Sequence, residues 1–217
     1  GMGKGLSPSI TASLSVAYIN HYLDHRQKHR HFELSELIKS YKSFIEPKLL
    51  DDEMVAISFV YFKFDKKTVE YALYGMPPLY IQKRHKIYEK TSNNPPLCKF
   101  IDSLNINFFS IKKVDKILTS SDGLTENSTK DGTLYAQKLK HSLKNVRFLK
   151  ELLLDFKDSC QEVEDDLNIA LLTKIPKNNI QKKRFCILSR REKIGELTYE
   201  IEQLLELKRS EEHTSEL

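Results

Sequence analysis

Apolar positions recur with two different periods along this chain, and the change of period divides it. Ile10, Leu14, Ala17 and Ile19 recur at helical spacing, which predicts a helix over 6–31 with Ser7 as its N-cap and Pro8 at its first helical position. Leu34, Leu37, Ile38, Tyr41 and Ile45 share one side of a second helix over 33–47, ended by Pro47. The pattern then shifts to alternation. Val55, Ile57, Phe59 and Tyr61 mark a strand over 54–64, Asp65-Lys66-Lys67 a turn, and Thr68 to Tyr74 a returning strand, together an antiparallel hairpin. Gly75-Met76-Pro77-Pro78 breaks that sheet. Short strands at 79–82 and 87–89 flank the basic turn Lys83-Arg84-His85-Lys86, and two more fall at 106–111 and 114–119. A loop, Ser120 to Glu126, follows directly. Helices are predicted near 134–142 and 147–158, an acidic stretch from Gln161 to Asp166, and a strand over 167–174. Beyond Pro176 come a basic linker (177–184), a short strand (185–188) and an amphipathic helix (192–207). No internal repeat is visible.

Composition changes this picture little. The chain has 217 residues, 40% hydrophobic and 30% charged. Those values exclude a disordered tail, a collagen-like fibre and a disulfide scaffold. No apolar run is long enough to span a bilayer and no charged-then-apolar leader opens the chain, so the expectation is a soluble, cytoplasmic protein. The net charge of +5 is mildly basic, and net charge alone is a weak argument for nucleic acid. His21, His25 and His29 are four apart on one helical face. Two histidines at that spacing can bind zinc, but no acidic third ligand is near, and a solvated basic face is the preferred reading. Cys98, Cys160 and Cys186 lack zinc or CxxC spacing and read as buried reduced thiols.

Both ends carry expectations of their own. Gly1-Met2-Gly3-Lys4-Gly5 is a tight backbone turn running straight into a helix, without the strand that normally stands before such an element. Residues 209–217, RSEEHTSEL, carry no core positions and read as a non-native tail of translated adaptor sequence. The chain is therefore expected to be a piece of a larger gene, cut at both sides.

Two acidic sites hold candidate chemistry. Asp122 leaves an apolar strand beside a glycine, and Asp165-Asp166 begins another. Carboxylates at the ends of neighbouring strands can converge on a hard divalent cation, which takes oxygen ligands and completes its shell with water. A water activated by that metal can attack a phosphoryl group. The competing reading is a plain Asp-Gly turn and a solvated strand start, and spacing alone favours it.

The order of motifs alters that balance. The glycine-rich turn and its helix are followed by the hairpin, by Gly75-Met76-Pro77-Pro78, by Asn94-Pro95-Pro96-Leu97, by Ser121-Asp122-Gly123-Leu124-Thr125-Glu126 and by Asp165-Asp166-Leu167-Asn168. The series resembles the stage II sporulation protein E-type phosphatases, a bacterial branch of the metal-dependent PPM protein phosphatases, from Gly1 to about Lys174. The resemblance implies an α+β fold, a PPM-phosphatase-like sandwich of antiparallel sheets flanked by helices and incomplete at the N-terminus. It implies two Mn²⁺ or Mg²⁺ ions and hydrolysis of phosphoserine or phosphothreonine on a regulatory partner, of the anti-sigma-factor-antagonist type. By that resemblance Asp122 and Asp165 are metal-binding, and Gly1 is the glycine whose backbone carbonyl contacts the second metal. The family's bridging aspartate would directly precede Gly1. Met76 stands where the family often has His, in a loop that holds no metal.

The resulting division is 1–175 as a partial phosphatase catalytic domain, 176–208 as a linker and further element, and 209–217 as the tail. The 176–208 segment weakly resembles the opening of anti-sigma-factor kinase-like ATPase domains. A plain linker helix, or a homodimer contact, is the equal alternative. A sensory or receiver domain is expected upstream in the intact protein. The rival function is a non-catalytic phosphoprotein-binding module of the same fold. Nucleic-acid binding through the basic helix ranks last, because aromatic residues are sparse among its charges.

Overall fold

The computed structural model describes residues 6–27, 32–100, 102–174 and 187–189. They form two units. One is built on the residues up to Pro78 together with Lys90–Lys113, the other on Leu79–Glu89 together with the residues from Val114 on.

The first unit holds α1 (Leu6–Gln27), α2 (Leu34–Ile45), and strands β1 (Ile57–Lys63), β2 (Thr68–Tyr74) and β5 (Asn107–Ser110) in the order β1-β2-β5. The predicted hairpin forms in register from Ile57 opposite Tyr74 to Lys63 opposite Thr68, turning through Lys67 at φ 54°. The predicted apolar side of α2 is buried on Phe59, Ala72 and Tyr74, and Leu14, Tyr18 and Tyr22 of α1 pack against the same cluster. Several buried polar groups here are paired with one another. The Tyr41 hydroxyl donates to Ser15 Oγ at 2.7 Å, Thr11 donates to Glu53 at 2.6 Å, and burial raises the Tyr41 phenol above its ordinary range. The two proline motifs meet in this unit. Gly75 adopts φ +59°, and a Cβ there would fall 2.5 Å from Pro96 Cγ. Asn94 secures the junction: its backbone carbonyl accepts from Gly75 N, and its side chain accepts from Ser103 Oγ and Asn105 N, both at 2.8 Å.

The second unit holds a five-stranded antiparallel sheet in the order β4-β3-β6-β7-β8, made of β3 (Leu79–Lys83), β4 (Lys86–Lys90), β6 (Lys116–Ser120), β7 (Asn168–Thr173) and β8 (Ile187–Ser189). Its helices are α3 (Asp122–Thr125), α4 (Tyr135–Asn145) and α5 (Leu149–Ser159). Leu139, Leu143, Leu152, Leu153 and Phe156 form the helical side of a core that Leu118, Ile169 and Leu171 complete from the sheet. Lys116 is buried, its ammonium donating to the carbonyl of Leu143 at 2.7 Å and to that of Val146, the last carbonyls around the end of α4. Desolvation lowers its pKa.

The turn before α4 is organised by Asp131. It accepts from the hydroxyls of Thr129 and Thr133 and pairs with Lys138 at 2.9 Å, which together hold its carboxyl well below the usual carboxylate range. A depressed folded-state pKa contributes stability above the unfolded value and loses it as pH falls through the folded one. Asp131→Asn is therefore expected to lower the thermal midpoint at pH 7. The gap to wild type should narrow only below about pH 4. A gap that stays constant down to pH 2 would assign the effect to something other than the charge.

The α+β class and the two antiparallel sheets, each with helices in its own unit, agree with the resemblance. Two local expectations are corrected. Leu6 is already helical, so Ser7 lies within the helix rather than capping it. Asp122 to Thr125, expected as loop, form one helical turn. The strands expected at 106–111 and 114–119 both form, and although adjacent in sequence they belong to different sheets. Residues 28–31, most of the 176–208 segment and the 209–217 tail lie outside the described residues, as does Cys186. Cys98 and Cys160 are buried free thiols. Among the described residues no helix is long and apolar enough to cross a membrane.

Candidate metal centre

The site follows from the pairing of β6 with β7. Ser120 lies opposite Ile169 and Thr119 opposite Ala170, so the chain leaves β6 where it enters β7. Asp122 is the first residue of α3, just past the end of β6; Asp165 stands three residues before β7. Each connection is pinned by an apolar neighbour: Leu124 (0% exposed) and Leu167 (1%) both plug the core of this unit, while the acidic side chains beside them remain exposed.

Backbone contact between the two connections is very close. A Cβ at Gly123 would sit on the Asp166 carbonyl oxygen, well inside van der Waals distance, and 3.2 Å from that of Asp165. The glycine of Ser-Asp-Gly is thus required by the approach of one backbone to another. Ser121 Oγ donates to the Asp166 carbonyl and accepts from Asn168 N, both at 2.9 Å, while Ser121 N donates to the Asn168 carbonyl at 2.9 Å.

Asp122 and Asp165 line one pocket of about 240 Å³ together with Gly123, Glu126, Asn127 and Glu164. One oxygen of Asp122 accepts from Gly123 N at 2.9 Å, and one oxygen of Asp165 accepts from Asp166 N at 2.8 Å. Glu164 accepts from Ser128 N at 3.0 Å. Among the described residues the lining carries four carboxylates and no Lys, Arg or His. An all-oxygen, anionic donor set fits a hard divalent cation such as Mg²⁺ or Mn²⁺ and is ill suited to softer metals. Among the described residues no three His, Cys, Asp or Glu side chains gather closely enough to enclose an ion. Gly1, the third expected ligand, lies outside the described residues.

Glu126, Asn127 and Glu164 had no role in the sequence reading. The signal for Glu126 was its place four residues after Asp122, which puts both on one side of a helical turn; reading 120–126 as a loop hid it. His21 and His25 are exposed on α1 with ring centroids 5.8 Å apart, and His29 is outside the described residues.

A family model described as stage II sporulation protein E matches residues 1–174. Among solved structures, the PP2C phosphatase domain with a fragment of the regulatory domain of SpoIIE from Bacillus subtilis is similar at TM-score 0.64 and 15% identity, over 80% of this chain and 52% of that one. The SiaA PP2C domain of Pseudomonas aeruginosa gives TM-score 0.63 at 12% identity, over 81% and 73%. RsbX in complex with magnesium gives TM-score 0.55 at 15% identity, over 79% and 76%. The chain thus spans about half the length of the SpoIIE structure it matches. No curated protein matches it in sequence.

Proposed function

The chain belongs to the stage II sporulation protein E family, and we propose that it is a metal-dependent phosphatase domain acting on phosphoserine or phosphothreonine of a regulatory partner protein, of the anti-sigma-factor-antagonist type. The observation that carries this reading is the pocket in which Asp122 and Asp165 face a common space lined, among the described residues, by carboxylates and no cationic side chain.

Asp122 and Asp165 would hold the cations, joined by the carbonyl of Gly1. When bound, two Mn²⁺ or Mg²⁺ ions supply charge neutralisation at the phosphoryl group and lower the pKa of water. The chain's own contribution is to hold the acidic groups in place before any ion arrives, through the Gly123 contact and the Ser121 hydrogen bonds. Among the described residues of this unit a cysteine nucleophile has no support: Cys160 is buried, and desolvation raises its thiol pKa, the reverse of an activated thiolate. On this reading residues 1–175 make the catalytic domain and 176–208 a linker or the opening of a further element.

The test is Mn²⁺-dependent release of phosphate from a phosphoserine protein, by this chain and by the gene product extended through the residues that precede Gly1. Release that a chelator abolishes is expected from the extended product. Retention of the phosphoprotein with no release at any Mn²⁺ concentration would replace catalysis with the binding-module alternative.

A further inference from the structure

We infer that Asn127 and Ser121 are positioning residues that set Asp165 against Asp122 for cation capture. The inference rests on reading their pocket as a cation site. The two residues bracket α3, and each ties one side of the Asp165 segment to it. Downstream of Asp165, Ser121 Oγ donates to the Asp166 carbonyl and accepts from Asn168 N. Upstream, Asn127 Nδ2 donates to the Glu162 carbonyl at 2.9 Å and its Oδ1 accepts from Glu164 N at 2.8 Å. Asn127 also donates to the Ser128 carbonyl at 3.2 Å and is 2% exposed, so its amide is committed to holding backbone.

The need for two ties follows from electrostatics. Asp122, Glu126, Glu164 and Asp165 share one pocket lining, and their like charges repel when no cation is present. The stretch from Gln161 to Leu167 contains no helix or strand to resist that repulsion. Two side chains that hold backbone groups of this stretch, rather than its carboxylates, fix it without neutralising the charge. A tie through a lysine or arginine would have consumed the charge that attracts the ion. Asn127 is the more deeply buried of the two, and its loss removes the side-chain partner of both Glu162 O and Glu164 N.

Mn²⁺ affinity, read from the electron paramagnetic resonance signal of the free ion, tests this on the full chain. Thermal unfolding without metal is followed in parallel. Ser121→Ala and Asn127→Ala are expected to weaken Mn²⁺ binding about ten- to a hundredfold, the usual effect of losing a group that orients a metal ligand. Ser121→Thr, which keeps the hydroxyl, should restore affinity. A merely structural role would lower the melting temperature and leave the affinity of the folded protein untouched. Wild-type affinity in both folded alanine variants would overturn the inference and leave the cation site standing. Asp122→Asn separates the two levels: if it binds Mn²⁺ as wild type does, the cation reading itself fails and the positioning role with it. Should Asn127→Ala not fold, Ser121→Ala decides, since its hydroxyl lies at a half-buried position.

Discussion

Asp122→Asn in the extended gene product is expected to lower Mn²⁺-dependent phosphate release by at least about a hundredfold, more than the loss of a group that only orients a ligand. The substitution is nearly isosteric, and the amide oxygen can still accept from Gly123 N, so the start of α3 need not move. What disappears is one unit of negative charge in a lining of four carboxylates. Removing a like charge relieves repulsion, so the metal-free protein should melt no lower than wild type. Activity and stability therefore part company, which a general folding defect would not produce. Asp165→Asn should behave in the same way. If either variant turns over substrate at the wild-type rate with the same Mn²⁺ dependence, that residue is not a metal ligand.

Gly123→Ala should destabilise the second unit strongly for the addition of a single methyl group. Its Cβ meets two backbone carbonyls, and neither can rotate away as a side chain would. Relief requires α3 to move off the Asp165–Asp166 backbone. Leu124 and Leu167, one residue further along each connection, are locked in the core and resist that shift. Overpacking of this kind costs about 1–3 kcal/mol, and each kcal/mol is worth about 2–4 °C in melting temperature for a domain of this size. Because the forced movement separates the Asp122 and Asp165 segments, Mn²⁺ affinity should fall as well. Urea unfolding and a Mn²⁺ titration on the same preparation check both parts. A wild-type midpoint with wild-type affinity would mean that the two backbones are not in contact.

The legible parts of this molecule are those with a period. Helix α2 was readable because its buried residues repeat on one side, and the hairpin because alternation on both sides of Asp65-Lys66-Lys67 admits one register. Asp122 and Asp165 were readable as residue types at strand ends, and the motif order supplied their pairing. What lacked a period stayed hidden. Four residues of α3 make a single turn, too short to show helical spacing. Partnership between strands is not written in alternation at all: 106–111 and 114–119 look like neighbours, yet β5 joins β2 and β6 joins β3. Asn127 carried no signal either, since a buried amide that holds a distant backbone looks in sequence like any polar loop residue.

The route of the chain through the second sheet also has a consequence during synthesis. Strand β3 is made before the end of the first unit, yet its partner is β6, with Tyr80 opposite Leu118. At roughly 5–20 residues per second, β3 waits about 2–8 s for that partner to be translated. Throughout this interval an almost fully apolar edge, Leu79-Tyr80-Ile81, has one side unpaired. No single cut in the gene frees the second unit intact either. A product starting at Val114 lacks β3 and β4, and leaves β6, a central strand of the complete sheet, as a bare edge. Expression of this family member in pieces is thus constrained by its winding: a product that keeps the second sheet whole around the acidic pocket must begin no later than Leu79.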